Sequence, residues 1–453
     1  MGPLLLLACS APPEAPDPFD PVEPPDGYAW GDPVVTLADE HLWPDDPRDL
    51  VEWMDAEVVD ADWGLVTGVG GVGVISMADA ALVTQVDGPT RGYRLAVDGD
   101  AAWVTTREAG IWRLDLSALP DLVLDREVPT PESWTEDIAA DGGRVLVAAQ
   151  EAGALVMDGE GRALSTLPVD ETALAVALVG DRALVADGAA LALWDLTDPS
   201  APVALDRAAL PGEGRDLAFD GTTVAVAMGG SGVAVFEVQG DGLRERGLVE
   251  APGSPFSVAL DDRRLWVATW QQVVLASLAE EPPLVLGHEA PVQAAMGVGA
   301  RDGVALVADW LGSTVMRAEP GLIGAEVDLP ASVRVDPAHG GAIAARNPGG
   351  VTLQVAFEAE GLTLEPATLA LAPGERAVVT VTATSGTPRL KWSSNDPDEP
   401  EGAIEVLTEG VAVGEPHPAL SLPCFQLPDV TLETCDLAAH RGEVVFMAYF
   451  TTW

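Results

Sequence analysis

Few residues of this 453-residue chain have the types and spacing that enzyme chemistry requires. Cysteine, which reacts as a thiolate nucleophile, occurs three times, at Cys9, Cys424 and Cys435. The five histidines are scattered and show no zinc-ligand spacing. No G-x-S-x-G segment, which would place a serine nucleophile on a tight turn, is present. We therefore expect no bound metal and no cofactor.

Three glycines, Gly68, Gly70 and Gly73, spell the G-x-G-x-x-G pattern of dinucleotide-binding sites. That site requires a helix directly after the glycines, because the helix amino terminus binds the pyrophosphate. Here Val72-Gly-Val-Ile-Ser-Met77 predicts a continuing strand instead. We interpret the three residues as turn glycines.

The chain is strongly acidic, with 72 Asp and Glu against 23 Lys and Arg and a formal net charge of −49. A surface of this sign repels phosphate backbones, which argues against nucleic-acid binding. We interpret the acidity as surface solvation. Specific calcium binding is the alternative, although no ordered series of ligands supports it.

A regular period organises the middle of the chain and predicts a repeat architecture. Valines that anchor the same strand of each unit recur at nearly even intervals. The sequence of each unit predicts a strand, an Asp/Gly hairpin turn, a second strand, a short loop and a third strand. Such a sheet cannot cover its own faces, so the units must stack in a ring. The anchors are Val66, Val104, Val147, Val185, Val226, Val267 and Val307.

Two pairs of residues fall at equivalent places in these repeats. Trp270 and Trp310 each follow their anchor valine by three residues. They either line a binding mouth or cover the edge of a thin sheet. Asp137 and Asp216 fall early in their first strands, where their side chains are expected to face a central channel as solvated carboxylates.

The fourth unit carries a family resemblance. Arg182-Ala-Leu-Val-Ala-Asp187, followed by Leu191-Ala-Leu-Trp-Asp-Leu-Thr-Asp-Pro199, resembles the LVIVD repeats of bacterial surface β-propellers. The sixth unit, near Val273–Leu278, lacks the Asp-Pro turn. The resemblance implies a mainly β fold with a seven-bladed propeller over residues 50–327 and an extracytoplasmic location. It implies no reaction, and the propeller ligand stays unknown.

Residues 328–412 lose the repeat and predict one module of about seven short strands, as in an immunoglobulin-like β-sandwich. Three turn segments, Arg346–Gly350, Leu371–Glu375 and Ser394–Pro397, resemble those of Hydin/ASPM-type, or choice-of-anchor, modules. The resemblance implies a spacer or an interaction surface.

The amino-terminal residues 1–9 end in Leu6-Leu-Ala-Cys9, which resembles a bacterial lipobox, although no basic residues precede it. The resemblance implies lipidation at Cys9 and a membrane anchor in the cell envelope, in the outer membrane or the periplasm. Residues 10–49 are rich in Pro, Asp and Glu and predict an extended acidic linker.

Residues 413–453 resemble the start of a redoxin, a thioredoxin-like α/β domain, with Glu443 in place of the usual Lys. The resemblance implies a reactive Cys directly after Trp453, so that this stretch is incomplete and inactive by itself. The intact protein is then expected to exchange disulfides with a thiol protein partner or to reduce peroxide. The matching residues are Gly414, Pro418, Leu437, Arg441, Gly442, Phe450, Thr452 and Trp453.

Two functions from different classes remain open at this stage. The first is a surface lipoprotein with thiol–disulfide oxidoreductase or peroxidase activity in the intact protein. The second is a non-catalytic scaffold or adhesion protein whose propeller binds an extracytoplasmic partner. Cys424 and Cys435 lie upstream of the expected reactive position, and outside the cytoplasm they either form a structural disulfide or stay free thiols.

Overall fold

The computed structural model describes residues 24–41, 52–89, 91–107, 110–130, 134–251, 253–290, 294–336, 339–384, 387–397, 399–407, 421–426 and 431–436. Strands dominate these residues, and a 3₁₀ turn at Gly229–Ser231 is their sole helical element. Within the same ranges, no helix is long and apolar enough to cross a membrane.

Seven antiparallel sheets of four strands account for most of these residues. Sheet 1 contains β3 (Glu52–Val58), β4 (Trp63–Val69), β5 (Gly71–Ser76) and β6 (Leu82–Val86); sheet 2 contains β7 (Gly92–Asp98), β8 (Ala101–Thr106), β9 (Ile111–Asp115) and β10 (Val123–Val128); sheet 3 contains β11 (Asp137–Asp141), β12 (Arg144–Ala148), β13 (Ala154–Asp158) and β14 (Ala163–Leu167). Sheet 4 contains β15 (Ala173–Val179), β16 (Arg182–Asp187), β17 (Ala190–Asp195) and β18 (Val203–Ala209); sheet 5 contains β19 (Asp216–Phe219), β20 (Thr223–Ala227), β21 (Val233–Gln239) and β22 (Gly242–Val249). Sheet 6 contains β23 (Ser257–Asp261), β24 (Arg264–Ala268), β25 (Val273–Ser277) and β26 (Leu284–Glu289); sheet 7 contains β27 (Ala295–Arg301), β28 (Val304–Asp309), β29 (Gly312–Ala318) and β2 (Val34–His41).

The first strands of the seven sheets contact one another in cyclic order, from β3 through β7, β11, β15, β19, β23 and β27 back to β3. The second strands are apolar and almost entirely buried, whereas the fourth strands are on the whole more exposed, and the contrast is greatest between β16 and β18. The second strands therefore supply the packing between neighbouring sheets. This ring of repeated four-stranded sheets resembles a β-propeller.

The structure corrects the predicted linker over part of its length. Residues 10–49 were expected to be an extended spacer, but Val34–His41 forms β2, which pairs antiparallel with β29 and completes sheet 7. Val34 is buried in the core. Composition predicted a spacer because residues 10–49 as a whole are rich in Pro, Asp and Glu. Composition does not reveal that the backbone edge of β29 offers hydrogen-bond partners, and these order Val34–His41 as a strand.

Aspartates near the turn ends of the first strands tie neighbouring sheets together. In each case one carboxylate oxygen accepts a hydrogen bond from a backbone N–H in the turn of the next sheet. The two bonded residues lie one repeat apart in the sequence in each case, so the same interaction recurs between successive sheets. The bonds join Asp98 to Gly143 at 2.7 Å, Asp141 to Gly180 at 2.7 Å and Asp261 to Gly303 at 2.7 Å.

Residues 332–407 form a separate pair of sheets whose interior is apolar. The eight strands are β31 (Ser332–Arg334), β32 (Gly341–Arg346), β33 (Leu353–Glu360), β34 (Leu362–Glu365), β35 (Thr368–Leu371), β36 (Arg376–Ala383), β37 (Arg389–Ser394) and β38 (Glu401–Leu407). The five-stranded sheet has the order β31-β38-β37-β33-β35, and the three-stranded sheet has the order β32-β36-β34. Two short pairs complete the described strands: β1 (Ala29–Trp30) with β30 (Leu322–Ile323), and β39 (Ser421–Gln426) with β40 (Thr431–Asp436).

The turn Asn347–Gly350 holds this module against sheet 6. The Asn347 amide donates to the carbonyls of Val351 at 2.7 Å and Leu371 at 2.9 Å. A Cβ on Gly350 would lie 1.9 Å from the Val285 carbonyl oxygen of β26, so a side chain there would prevent the contact. Glycine at this turn is therefore a requirement of close backbone approach.

We predict that Val34→Asp destabilises the ring, because it places a carboxylate in the apolar core beneath β2. The expected loss is about 3 kcal/mol of unfolding free energy, measured by urea denaturation. Leu37→Asp is the matched control on the same strand, since Leu37 is 42% exposed whereas Val34 is fully buried. Equal effects of the two variants would contradict the assignment of β2 to sheet 7.

Candidate ligand-binding face

Arg94 lies at the centre of the ring and crosses its channel. It starts on β7, and its Nη2 donates to the Phe256 carbonyl of the sixth repeat at 2.9 Å. Its Nη1 lies 3.3 Å from Oδ1 of Asp55 in sheet 1 and 3.8 Å from Oδ2 of Asp216 in sheet 5. One buried guanidinium thus joins four of the seven units.

Asp137 and Asp216 do face the channel, as their equivalent sequence positions predict, and Asp55 occupies the same place in sheet 1. All three are buried rather than freely solvated. Each carboxylate also accepts a backbone N–H from the first strand of the next unit in contact with it. These bonds join Asp55 to Leu95 at 2.9 Å, Asp137 to Val176 at 2.7 Å and Asp216 to Val258 at 2.8 Å.

Burial and mutual repulsion perturb the acids of this channel, whose cavity has a volume of about 300 Å³. Burial raises the pKa of Asp55 to about 6, although Arg94 opposes the shift. Burial, reinforced by Asp55 and Asp216, raises the pKa of the half-buried Glu57 to about 8. Burial likewise raises the pKa of Asp137. Burial disfavours the Arg94 charge, but Asp216 and Asp55 still hold its pKa above the ordinary value.

A small recess of about 120 Å³ lies on the other side of Arg94. Tyr93 and Phe256 contribute aromatic rings, while Arg107 and Arg215 contribute cations. The Arg107 guanidinium lies 3.7 Å from the centroid of the Tyr93 ring, a close cation–π contact. Arg94 therefore separates this recess from the acidic channel.

Glu136 positions three polar groups at the edge of the recess. Its Oε1 accepts hydrogen bonds from Trp134 Nε1 at 2.6 Å and Gln150 Nε2 at 2.8 Å. Its Oε2 accepts from Nε of Arg107 at 3.3 Å and from Nη2 at 3.2 Å. These fork-shaped contacts fix the guanidinium plane, so that the groups are preorganised before any ligand arrives.

Aromatic rings continue beyond the recess on the opposite side. Phe256 and Trp270 have ring centroids 5.7 Å apart, and Trp270 meets Trp310 edge to face at 5.3 Å. We call the series Trp134, Tyr93, Phe256, Trp270 and Trp310, with the recess between them, the aromatic arc. The half-buried rings of Trp270 and Trp310 pack against the core of the sheets, as the edge-covering interpretation predicts. They lie beyond the residues that line the recess, so a binding role for them stays a prediction.

The two tryptophans occupy left-handed backbone positions, with φ of 73° at Trp270 and 42° at Trp310. The equivalent positions of sheets 4 and 5 are Gly188 and Gly229, at 57° and 55°, whereas sheet 3 has Gln150 there, at 49°. Backbone bonds to the next sheet explain this conformation, since Trp270 pairs with Ala295 in both directions at 3.1 Å. A bulky residue in this region is strained by about 1 to 3 kcal/mol, which glycine would avoid.

Sequence reasoning missed Arg94, Glu136 and Tyr93. Repeat alignment offered one signal, because Arg94 takes the position that Asp55, Asp137 and Asp216 hold in other units. Neither its reach across the ring nor the grouping around Glu136 follows from that alignment.

Of the residues singled out for thiol chemistry, the structure describes only the backbone of Cys424 and Cys435. Cys424 on β39 pairs in register with Glu433, and Cys435 on β40 pairs with Leu422, so the two cysteines are diagonal rather than directly opposite. Their disulfide stays a prediction. Cys9 and the redoxin-like residues from Gly414 to Pro418 and from Leu437 to Trp453 lie outside the described residues. Across the described part of the chain, no three His, Cys, Asp or Glu residues are grouped as metal ligands.

No protein-family model and no curated protein matches this chain. Solved structures do match: U3-55K is 11% identical with a TM-score of 0.51, over 63% of this chain and 98% of that one. The RRP9 WD40 repeats are 10% identical with a TM-score of 0.52, over 63% of this chain and all of that one, 100%. At such identities the likeness concerns the fold, and it confirms the predicted propeller-like, mainly β architecture.

We predict that Glu57→Gln reduces the loss of unfolding free energy that occurs as the pH rises. The pKa of Glu57 rises from 4.5 to about 8 on folding, so its stabilising protonation is complete below 4.5 and is lost as pH rises through 8. The variant should match the wild type at pH 4 and exceed it by about 2 kcal/mol at pH 9, because channel water screens part of the full effect. Urea denaturation at both pH values measures this difference. The exposed Glu405→Gln is the control, and a Glu57→Gln advantage that does not grow with pH contradicts the prediction.

Proposed function

We propose that this chain is a non-catalytic binding protein, a seven-bladed β-propeller followed by an immunoglobulin-like sandwich, whose aromatic arc receives an extracytoplasmic ligand. The observation that carries the proposal is the presence of Trp270 and Trp310 in left-handed backbone at a position where sheets 4 and 5 have glycine and sheet 3 has the polar Gln150. Strain of this kind concentrates at functional sites, because function there opposes the residue that stability alone would favour.

The geometry around the arc supports the same interpretation. The rings of Tyr93 and Phe256 and the bonded Arg107–Glu136 pair line one small recess, and Gln150 is hydrogen-bonded to Glu136 at its edge. Binding sites combine apolar walls with a small number of well-placed polar groups. The channel acids beyond Arg94 are engaged with backbone N–H groups, which suits a role in holding the ring rather than in catalysis.

Location and attachment form part of the proposal and rest on sequence resemblance. The lipobox-like residues support lipidation at Cys9 and placement in the cell envelope, with residues 10–28 as a tether ahead of β1. The module at 328–412 then serves as a spacer docked on sheet 6 through Gly350.

Thiol–disulfide exchange or peroxide reduction is a separate proposal for the intact protein, supported by the redoxin-like residues Phe450, Thr452 and Trp453. It requires a reactive Cys immediately after Trp453. Sequencing the native gene downstream of the Trp453 codon tests it: an in-frame Cys codon supports the activity, whereas a stop codon or another residue removes its basis.

For the binding function, we predict that the double variant Trp270→Gly/Trp310→Gly loses its ligand while staying folded. Glycine relieves left-handed strain of about 1 to 3 kcal/mol per position, which offsets much of the lost ring packing. Retention of the purified full-length protein on an isolated envelope fraction should fall at least about tenfold, an effect of about 1.4 kcal/mol.

The matched control is Trp194→Ala, which removes another half-buried ring, on β17 of sheet 4 away from the arc. It should leave retention unchanged. Wild-type protein that is not retained, or a double variant retained as well as the wild type, contradicts the proposed binding face.

A further inference from the structure

The recess is too small to enclose an organic ligand. Its volume of about 120 Å³ is well below the roughly 300–1,000 Å³ of pockets that bury a small molecule. Aromatic rings nevertheless extend on both sides of it. On one side the Arg107 guanidinium lies between the rings of Tyr93 and Trp134, and on the other side Phe256 contacts Trp270. A ligand that uses this surface must therefore lie across it as an extended chain.

The charges around the recess favour an uncharged ligand. Arg107 is bonded to Glu136, Arg215 lies 3.1 Å from Glu213, and Arg94 is held by buried aspartates. Each of these arginines is therefore paired with a carboxylate, and the whole chain carries a formal charge of −49. An anionic chain would meet this long-range negative field, while a cationic one would meet the guanidinium groups at the recess.

The polar groups are of a kind that bonds hydroxyls. Arg107 is a planar donor whose Nη1 takes no part in its bonds to Glu136. Glu136 and Glu213 provide acceptors, and Gln150 provides both donor and acceptor. Trp134 offers a ring that is 42% exposed at one end of the series. Apolar ring faces next to planar hydrogen-bonding groups match a molecule with C–H faces and hydroxyl edges.

We propose that the aromatic arc binds an uncharged polysaccharide, with sugar rings stacked on Trp134 and Trp270 and hydroxyls bonded to Arg107 and Glu136. This inference rests on the proposed binding function and adds the chemical class of its ligand. A peptide is disfavoured, because an extended peptide needs a free strand edge or deep side-chain pockets, and the arc consists of ring faces and side-chain termini over a shallow recess.

The test is a fluorescence titration of the full-length protein with four neutral hexasaccharides: β-1,4-linked glucose, N-acetylglucosamine and mannose, and α-1,4-linked glucose. Hexagalacturonic acid serves as the charged probe of equal length. We expect at least one neutral hexasaccharide to bind and the acidic one to bind at least tenfold more weakly. Trp134→Ala and Arg107→Lys should each weaken binding at least fivefold, since one removes a stacking ring and the other removes the guanidinium fork but keeps its charge.

Arg244→Gln is the control, because Arg244 forms an equally paired cation with Glu237 and Glu281 on the outer strand of sheet 5. It should bind as the wild type does. Binding of none of the neutral probes, preference for hexagalacturonic acid, or binding that both arc variants leave intact overturns the inference. If the titration fails in one of these ways but retention on the envelope fraction still depends on Trp270 and Trp310, the proposed binding face holds and the ligand class is wrong.

Discussion

The hydrogen bonds from a carboxylate in one first strand to the backbone N–H of the next sheet constrain the rest of this molecule. They place Asp55, Asp137 and Asp216 in the narrow centre of the ring, where all three side chains are buried. Carboxylates so close together repel one another and are costly to bury without a partner. Arg94 is that partner, because its guanidinium reaches across the axis to the carboxylates of Asp55 and Asp216. The same side chain divides the acidic channel from the recess of the aromatic arc.

Closure of the ring imposes the second constraint. Each sheet leaves its faces uncovered, so neighbouring sheets must pack, and the seventh needs an outer strand that comes from β2. Turns between the second and third strands must then approach the following sheet closely, which sets the left-handed backbone at Trp270 and Trp310. Glycine satisfies this geometry in sheets 4 and 5. The fold therefore does not require the large rings of Trp270 and Trp310 at this position in sheets 6 and 7.

The two constraints meet at the proposed binding face. Buried acids hold Arg94 on one side, and on the other it bonds to the Phe256 carbonyl. The Phe256 ring contacts Trp270, which in turn contacts Trp310. Glu136 holds Trp134, Gln150 and Arg107 on the other side of the recess. The ligand-facing groups are thus supported by the interactions that close the ring. Such support lets a shallow surface keep a defined geometry, which lowers the entropy lost when a ligand binds.

The amino-acid sequence by itself determined the repeated mainly β architecture. Hydrophobic alternation and Asp/Gly turns are local signals, and their regular recurrence indicates stacked sheets whatever the details of packing. The equivalence of Trp270 with Trp310, and of Asp137 with Asp216, follows from the same alignment of repeats. The tertiary structure decided which strand closes sheet 7, because β2 and β29 lie at opposite ends of the repeat region and meet only when the ring closes. It also decided that Arg94 spans the ring and that Glu136 gathers its three partners, since such contacts depend on distances that no single repeat contains.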